Sequence, residues 1–400
     1  MAEIISTQKK HLDKGKIAEL KTDLLCRGIR VSASEPYYRE LVPAEYGTGG
    51  KSRAGIAGSG RNFLLEHGEP ANLGVRQSFL ESSPYEFRII EEEGWILKDG
   101  EKVLRATVRI PAWHSTAWYD QVQLHGKGSL ATALTNTCVY KSRPGEGCRF
   151  CLIDIGGKVV RHPPEALARA IREIETHPEL RLATDLVKKY GSKRPDQFAP
   201  SETIEPVDIN INSGSEPDGG TDLFAEAVAA IRKVSNLPIG IQVCPLGKPE
   251  LERLRSAGVT EISFNLEVYH EDYRRKVIPG KNRDHPREKY FRAMAEAREI
   301  FGENQVESWI IIGLEPAEET IAGMEAIARS GGIPLPKPFR PLLGSDFADH
   351  PLPRLEDAVA IYRAWREIIR KYKLDPLTTR AGCGRCNGCF PLREVLEYGI

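Results

Sequence analysis

Apolar residues recur with helical and strand-like spacing in alternation along the second half of the chain. From about residue 163, the helix-like segment PPEALARAIREIETH precedes the short apolar run VDININS, and the alternation continues to about residue 340. With SLATALTNT as a first strand, the pattern predicts about six β-α units. Because parallel neighbours need crossover connections, we expect a parallel sheet covered by helices. The predicted fold is therefore α/β, a partial (β/α)6 TIM-like barrel, with ligands at the carboxyl ends of its strands.

The first 125 residues follow a different pattern. The segment YEFRIIEEEGWILKDGEKVLRATVRI has two strand-like runs around KDGEK, which predicts an antiparallel hairpin. We assign residues 1–125 to an N-terminal α+β region that covers or shapes the pocket. Residues 126–350 form the barrel, and residues 351–400 form a C-terminal helix followed by a cysteine-rich, cluster-binding tail.

Charge and hydropathy narrow the possible partners. Lys plus Arg and Asp plus Glu are equal at 56 each, so no overall field favours nucleic acid or an anionic membrane as a partner. The N-terminus is charged, and the apolar run SWIIIGL is too short to span a bilayer. We therefore expect a cytoplasmic protein whose function depends on a local site.

The cysteines provide the clearest chemical signal. Six of the eight lie in two triplets, which are Cys138, Cys148 and Cys151, and Cys383, Cys386 and Cys389. Cys26 and Cys244 stand apart and are expected to pack as small core residues. This distribution favours metal binding over a disulfide framework. Each triplet could hold three irons of a four-iron four-sulfur (4Fe-4S) cluster, or it could be a zinc site completed by a distant cysteine or histidine.

The first triplet follows the first predicted strand and resembles that of the radical S-adenosylmethionine (SAM) superfamily. Phe150 precedes the last cysteine, as an aromatic residue does in that family, although nine residues separate Cys138 from Cys148 where the family usually has three. The resemblance implies that Cys138, Cys148 and Cys151 bind a 4Fe-4S cluster whose open iron chelates SAM. Reductive cleavage of SAM would then yield a 5'-deoxyadenosyl radical that abstracts hydrogen from a substrate.

Four later segments extend this resemblance to about residues 128–370. INSGSEPD resembles the glycine-glycine-glutamate motif that meets the SAM amino group, and ISFNLEVYHEDY resembles the ribose-binding segment of biotin and lipoyl synthases. SWIIIGLEPAEET resembles the adenine-binding strand, and PFRPLLGSDFADHPLPRLEDA resembles a segment of biotin synthase before its closing helix. The SAM-binding residues that the resemblance implies are Phe150, Gly214, Ser215, Glu216, Asn265, Glu267 and Gly313. Arg274, Arg275 and Lys276 could reach the SAM carboxylate or form a solvated basic face.

The tail triplet is expected to hold a second, auxiliary 4Fe-4S cluster, with zinc as the alternative. The likeness to biotin and lipoyl synthases favours sulfur insertion into an unactivated carbon, such as an octanoyl chain, by a sulfurtransferase. A second hypothesis is a radical oxidation, rearrangement or carbon-carbon bond formation, with the tail cluster as substrate anchor or electron conduit. A third is a zinc-stabilised binding protein without catalysis. The expected partners are a small-molecule or carrier-bound acyl substrate and an electron donor such as ferredoxin or flavodoxin.

Overall fold

The computed structural model describes residues 14–42, 60–76, 78–116, 121–153, 161–216 and 219–400. Within these ranges, the helices and strands of the N-terminal region are α1 (Lys14–Arg27), α2 (Tyr38–Leu41), β1 (Gly60–Leu65), β2 (Pro70–Gly74), β3 (Tyr85–Ile90), β4 (Glu93–Lys98), β5 (Glu101–Thr107) and β6 (Arg109–Pro111). Strands β1 to β5 form an antiparallel sheet in the order β2-β1-β5-β4-β3. Its inner face packs a separate apolar core that includes Phe63 and Phe87.

The KDGEK hairpin forms as the sequence predicts. Strands β4 and β5 are antiparallel, and Lys98 pairs with Glu101 across the turn. Asp99 and Gly100 occupy this turn with φ angles of 51° and 88°. Positive φ at both central residues matches the right-handed twist of the flanking strands, and glycine adopts it without a steric penalty.

The barrel begins with an antiparallel edge strand, and an excursion interrupts it after its first helix. After β7 (Gln123–His125) and β8 (Ser129–Ala133), the first barrel helix is α3 (Pro164–Thr176), whose apolar face belongs to the barrel core. The excursion then contains α4 (Pro178–Arg181), β9 (Leu182–Asp185), α5 (Leu186–Gly191) and β10 (Glu202–Thr203). Strand β9 pairs with both β6 and β10, so the excursion and the N-terminal region share a small sheet.

The remaining β-α units complete the barrel. They are β11 (Asp208–Asn212), α6 (Thr221–Arg232), β12 (Ile239–Gln242), α7 (Lys248–Ala257), β13 (Glu261–Ser263), α8 (Glu271–Val277), α9 (Pro279–Asp284), α10 (Arg287–Phe301), β14 (Val306–Ile312), α11 (Ala317–Arg329) and β15 (Ile333–Pro338). The sheet order is β15-β14-β13-β12-β11-β8-β7, and all neighbours from β8 to β15 are parallel. The predicted partial TIM-like barrel is confirmed.

The tail folds back onto the barrel. After α12 (Leu355–Lys371), the chain forms α13 (Gly382–Cys386) and α14 (Leu392–Tyr398). The backbone N–H of Gly382 donates to Asp208 Oδ2 at 3.1 Å, and that of Cys383 donates to Glu307 Oε2 at 2.9 Å. Asp208 and Glu307 lie at the amino-terminal ends of β11 and β14. Helix α13 therefore lies against the floor of the barrel, opposite the face where the first triplet is expected.

The N-terminal region supports the tail from the other side. The backbone N–H of Asn72 donates to the carbonyl of Gly388 at 2.5 Å, and Arg340 donates to the carbonyl of Asn72 at 3.0 Å. Lys21 forms a fully buried ion pair with Glu394 at 2.7 Å. The tail is thus held between the barrel floor and the N-terminal region. In the part of the chain that the structure describes, no helix has the length and apolar character needed to cross a membrane.

Candidate functional site

One cavity inside the barrel is lined by both cysteine triplets. Its empty volume is about 1450 Å³, part of which is open to solvent. Its walls include Cys138, Cys148, Cys151, Cys383, Cys386 and Cys389. The first triplet reaches the cavity from the carboxyl ends of the strands, and the tail triplet reaches it from the floor. Residues more than 230 positions apart in the sequence therefore face the same space.

The first triplet lies in a loop that is braced by neighbouring elements. The N–H of Val139 donates to the carbonyl of Ser215 at 2.9 Å, and the N–H of Gly280 donates to the carbonyl of Glu146 at 3.1 Å. Arg283, which lies on α9 with Gly280, also forms an ion pair with Glu146. The nine residues between the first two cysteines thus form a compact loop that packs on α9, which accounts for the long spacing.

The glycine-rich motif after β11 lies directly against this loop. A Cβ atom added to Gly214 would overlap the carbonyl oxygen of Thr137, so only glycine permits this approach. The Ser215 hydroxyl lies 3.4 Å from the Cys244 sulfur, and Gly214, Ser215, Glu216 and Cys244 all line the cavity. The structure therefore brings the whole predicted motif beside the first triplet. Cys244 is a wall residue as well as a packing residue, whereas Cys26 is fully buried in the core.

Glu267 is held in an unusual conformation at the cavity wall. Its φ angle is 66°, in the left-handed region that non-glycine residues rarely adopt. Its backbone N–H donates to the Trp309 carbonyl at 2.8 Å, and its carbonyl accepts from Ile311 at 2.8 Å. Its carboxylate forms an ion pair with Lys281 at 2.9 Å, with the side chains only 13% and 11% exposed. The surroundings thus fix this carboxylate in place, as is common for residues of functional sites.

Asn265 also lines the cavity, but its amide is already hydrogen-bonded. Its Oδ1 accepts from the Trp309 N–H at 3.2 Å and from the Ser263 hydroxyl at 3.0 Å. Its Nδ2 donates to Gln242 Oε1 at 3.1 Å. Asn265 can therefore contribute to a ribose site only through the second hydrogen of Nδ2 or by exchanging one of these partners.

The two remaining SAM-site predictions have different outcomes. Phe150 lines the cavity, is 6% exposed and packs in an apolar cluster with Val268 and Phe339. The structure does not bring Gly313 to the cavity wall. It has φ 94° and lies against Pro353, so its glycine identity is explained by a turn after β14.

Sequence reasoning missed Lys281 and chose neighbouring basic residues. Arg274 is fully buried and donates to the carbonyls of Leu266 and Val268, so it holds the loop after β13. Arg275 pairs with nearby acids on the protein surface. Lys281 lies in the first turn of α9, outside the periodicity of α8, and no local pattern distinguishes it from a surface lysine.

Burial keeps four of the triplet thiols protonated unless a cation binds. It raises the pKa of Cys151 to about 11 and that of Cys386 to about 12, and it raises those of Cys148 and Cys383 well above the ordinary range. Among the described residues, no group of three His, Cys, Asp or Glu side chains is arranged to hold a single metal ion. Two sets of three soft ligands around one cavity match the donor set of iron–sulfur clusters.

Comparisons with known proteins identify the barrel. Residues 133–324 match the family model for the radical SAM superfamily. The chain is 30% identical over 243 residues to the bacteriochlorophyllide c C-7(1)-hydroxylase of Chlorobaculum limnaeum, an alignment that covers 57% of each chain. The chain thus spans little more than half the length of this curated relative. These comparisons support the predicted radical SAM domain and the prediction of an enzyme, and the matched family implies a 4Fe-4S cluster and SAM.

Solved structures show more distant likenesses. Methylornithine synthase is 14% identical with a TM-score of 0.45, and the alignment covers 69% of this chain and 70% of the synthase chain. The FeFe-hydrogenase maturase HydG of Carboxydothermus hydrogenoformans is 19% identical with a TM-score of 0.43, and covers 61% of this chain and 52% of its own. The closer likeness to biotin and lipoyl synthases stays a prediction.

Proposed function

Because residues 133–324 match the family model of the radical SAM superfamily, we propose that the chain oxidises a C–H bond of a substrate held between two clusters. In this proposal, Cys138, Cys148 and Cys151 hold a 4Fe-4S cluster that binds SAM. Cys383, Cys386 and Cys389 hold an auxiliary iron–sulfur cluster on the barrel floor. The observation that carries the proposal is the single cavity that both triplets line.

The SAM-bound cluster, when reduced, would supply a radical able to abstract hydrogen from the substrate. The side chains around it would bind SAM and exclude water. Glu216 and Glu267 are carboxylates at the cavity wall and can accept hydrogen bonds from an ammonium group or from ribose hydroxyls. Lys281 also lines the cavity beside its partner Glu267, and its ammonium group can donate to a carboxylate of a bound molecule.

The middle of the cavity suits a substrate with apolar surface. Phe224, Trp309, Phe390 and Ile311 contribute apolar walls between the two triplets. Such walls exclude water from a reactive radical while a few polar groups orient the substrate. The substrate is therefore a small or carrier-bound molecule with an apolar reacting carbon, and an electron donor such as ferredoxin or flavodoxin would supply the reductant.

Two reaction types follow from different observations. The curated relative is named a hydroxylase, which favours oxidation of the substrate carbon here, with the tail cluster as anchor or electron conduit. The tail cysteines open onto the same cavity as the first triplet, which favours a second candidate, sulfur insertion by a lipoyl-synthase-like reaction on an octanoyl chain. In the second case Cys383, Cys386 and Cys389 would hold a cluster that supplies the sulfide.

Metal analysis tests the shared part of the proposal. Anaerobically purified protein should contain about eight irons and about eight sulfides per chain, and should release 5'-deoxyadenosine from SAM with a strong reductant. Cys383→Ala should lose about four irons and keep SAM cleavage, whereas Cys26→Ala, a buried cysteine outside the cavity, should keep about eight. Colourless protein with zinc in the tail would contradict the proposal.

Sulfide analysis after turnover separates the two reaction types. With an octanoyl-lysine peptide as substrate, sulfur insertion predicts a thiolated product and a fall in protein-bound sulfide. Oxidation predicts that protein-bound sulfide is unchanged and that no thiolated product forms.

A further inference from the structure

A chain of hydrogen bonds crosses the cavity wall from β14 to the tail. The backbone N–H of Trp309 donates to Asn265 Oδ1 at 3.2 Å, and Asn265 Nδ2 donates to Gln242 Oε1 at 3.1 Å. Gln242 Nε2 then lies 3.4 Å from the sulfur of Cys383. All four residues line the cavity. These hydrogen bonds therefore connect the side of the predicted SAM ribose site with the tail triplet.

The direction of each of these hydrogen bonds follows from the first donor, the backbone N–H of Trp309. A backbone N–H can only donate, so the atom of Asn265 that faces Trp309 must be the oxygen. Nδ2 of Asn265 then faces Gln242, whose facing atom must be its carbonyl oxygen. This leaves the Gln242 NH₂ group directed at the Cys383 sulfur. The opposite orientation of either amide would place two donors or two acceptors against each other.

A donor fixed toward this sulfur favours negative charge on it. The carboxyl group of Glu307 accepts the backbone N–H of Cys383 at 2.9 Å and so holds the backbone of this residue in place. The Gln242 N–H donor stabilises negative charge on the sulfur, and so favours an additional electron on a cluster that the thiolate holds.

We propose that Gln242 is a positioning residue for the tail cluster. It donates a hydrogen bond to the Cys383 sulfur, and this bond makes the tail cluster easier to reduce. The proposal rests on the tail cluster of the proposed function. Asn265 and the Trp309 backbone hold the Gln242 amide in the required orientation. Asn265 would thus serve the tail cluster as well as the predicted SAM site.

The test measures the reduction potential of the tail cluster by itself. The parent protein for this test is the 400-residue chain with Cys138, Cys148 and Cys151 changed to alanine. A potentiometric titration of this parent, followed by electron paramagnetic resonance, reports only the tail cluster. Gln242→Met removes the donor and should shift the midpoint potential to a more negative value. Asn212→Leu changes another amide of the same cavity wall and should leave the midpoint close to that of the parent.

A second variant guards against loss of the cluster. Gln242→Glu keeps an acceptor for Asn265 Nδ2 and cannot donate to sulfur when ionised, so it should also shift the midpoint to a more negative value. A tail cluster with unchanged potential in both Gln242 variants, or an equal shift in Asn212→Leu, overturns this inference alone. If the parent protein with the three alanine substitutions contains no iron, both this inference and the proposed tail cluster are overturned.

Discussion

The ion pair between Lys281 and Glu267 gives the sharpest test of the candidate site. Both side chains are largely buried, at 11% and 13% exposure, and their charged atoms lie 2.9 Å apart. Lys281→Met leaves the Glu267 carboxylate without its cation, in a backbone conformation that itself costs about 1–3 kcal/mol. Removing one partner of a fully buried pair typically costs about 3–5 kcal/mol.

Because the pair retains some exposure to the cavity, the expected loss is at the lower end of this range, about 3 kcal/mol. With an m value of about 3 kcal/mol per molar urea, the unfolding midpoint should fall by about 1 M. The double variant Lys281→Met/Glu267→Gln removes both charges and should recover most of this loss. Both variants should bind SAM more weakly than the parent.

Lys276→Met is a matched control, since this lysine lies on the neighbouring helix, is exposed and contacts the ring of Tyr273. It should change the free energy of unfolding by at most about 0.5 kcal/mol. If Lys281→Met unfolds at the same urea concentration as Lys276→Met, the pair does not stabilise the site and the reasoning fails.

Three further predictions concern other parts of the molecule. Gly214→Ala should abolish SAM cleavage and leave the tail iron in place, because its Cβ overlaps Thr137; retained cleavage with about eight irons would contradict this. Arg274→Met should lower the free energy of unfolding by about 3 kcal/mol, measured by urea titration, because buried carbonyls lose their donors; Arg275→Met, on the surface, should have little effect. Burial raises the pKa of Glu307 to about 8, so the folded state holds a proton that the unfolded state releases above its ordinary pKa of about 4.3. The free energy of unfolding of the metal-free protein should therefore fall between about pH 5 and pH 8, by at most about 1.4 kcal/mol per pH unit from this group. Glu307→Gln should flatten this fall when the unfolding temperature is measured against pH. If parent and variant show the same pH profile, the assignment is contradicted.

The alternation of helical and strand-like spacing was sufficient to predict the barrel. Each β-α unit has a local period of apolar residues, and each strand end places its following residues on one edge of the sheet. Cys138, Gly214 and Glu267 all follow barrel strands, so their convergence on one cavity could be inferred without coordinates. The Asp99–Gly100 turn was equally local, since its conformation depends on the turn residues themselves.

The place of the tail could not be inferred in this way. The spacing of Cys383, Cys386 and Cys389 indicates a metal site but carries no information about what the triplet faces. Its position depends on the carboxylates at the barrel floor, such as the bond from Gly382 to Asp208 across 174 residues. Single acidic residues at strand starts give no periodic signal, and their partner is known only when the chain has folded back.

The sequence by itself thus determined the type of fold, the residues of both triplets and the motif at Gly214, because these depend on local spacing and local backbone conformation. Tertiary structure decided that both triplets share one cavity, that Lys281 pairs with Glu267, and that Gln242 donates to Cys383. Each of these contacts joins segments that no local period relates, and its geometry is set by the packing of strands and helices around the barrel.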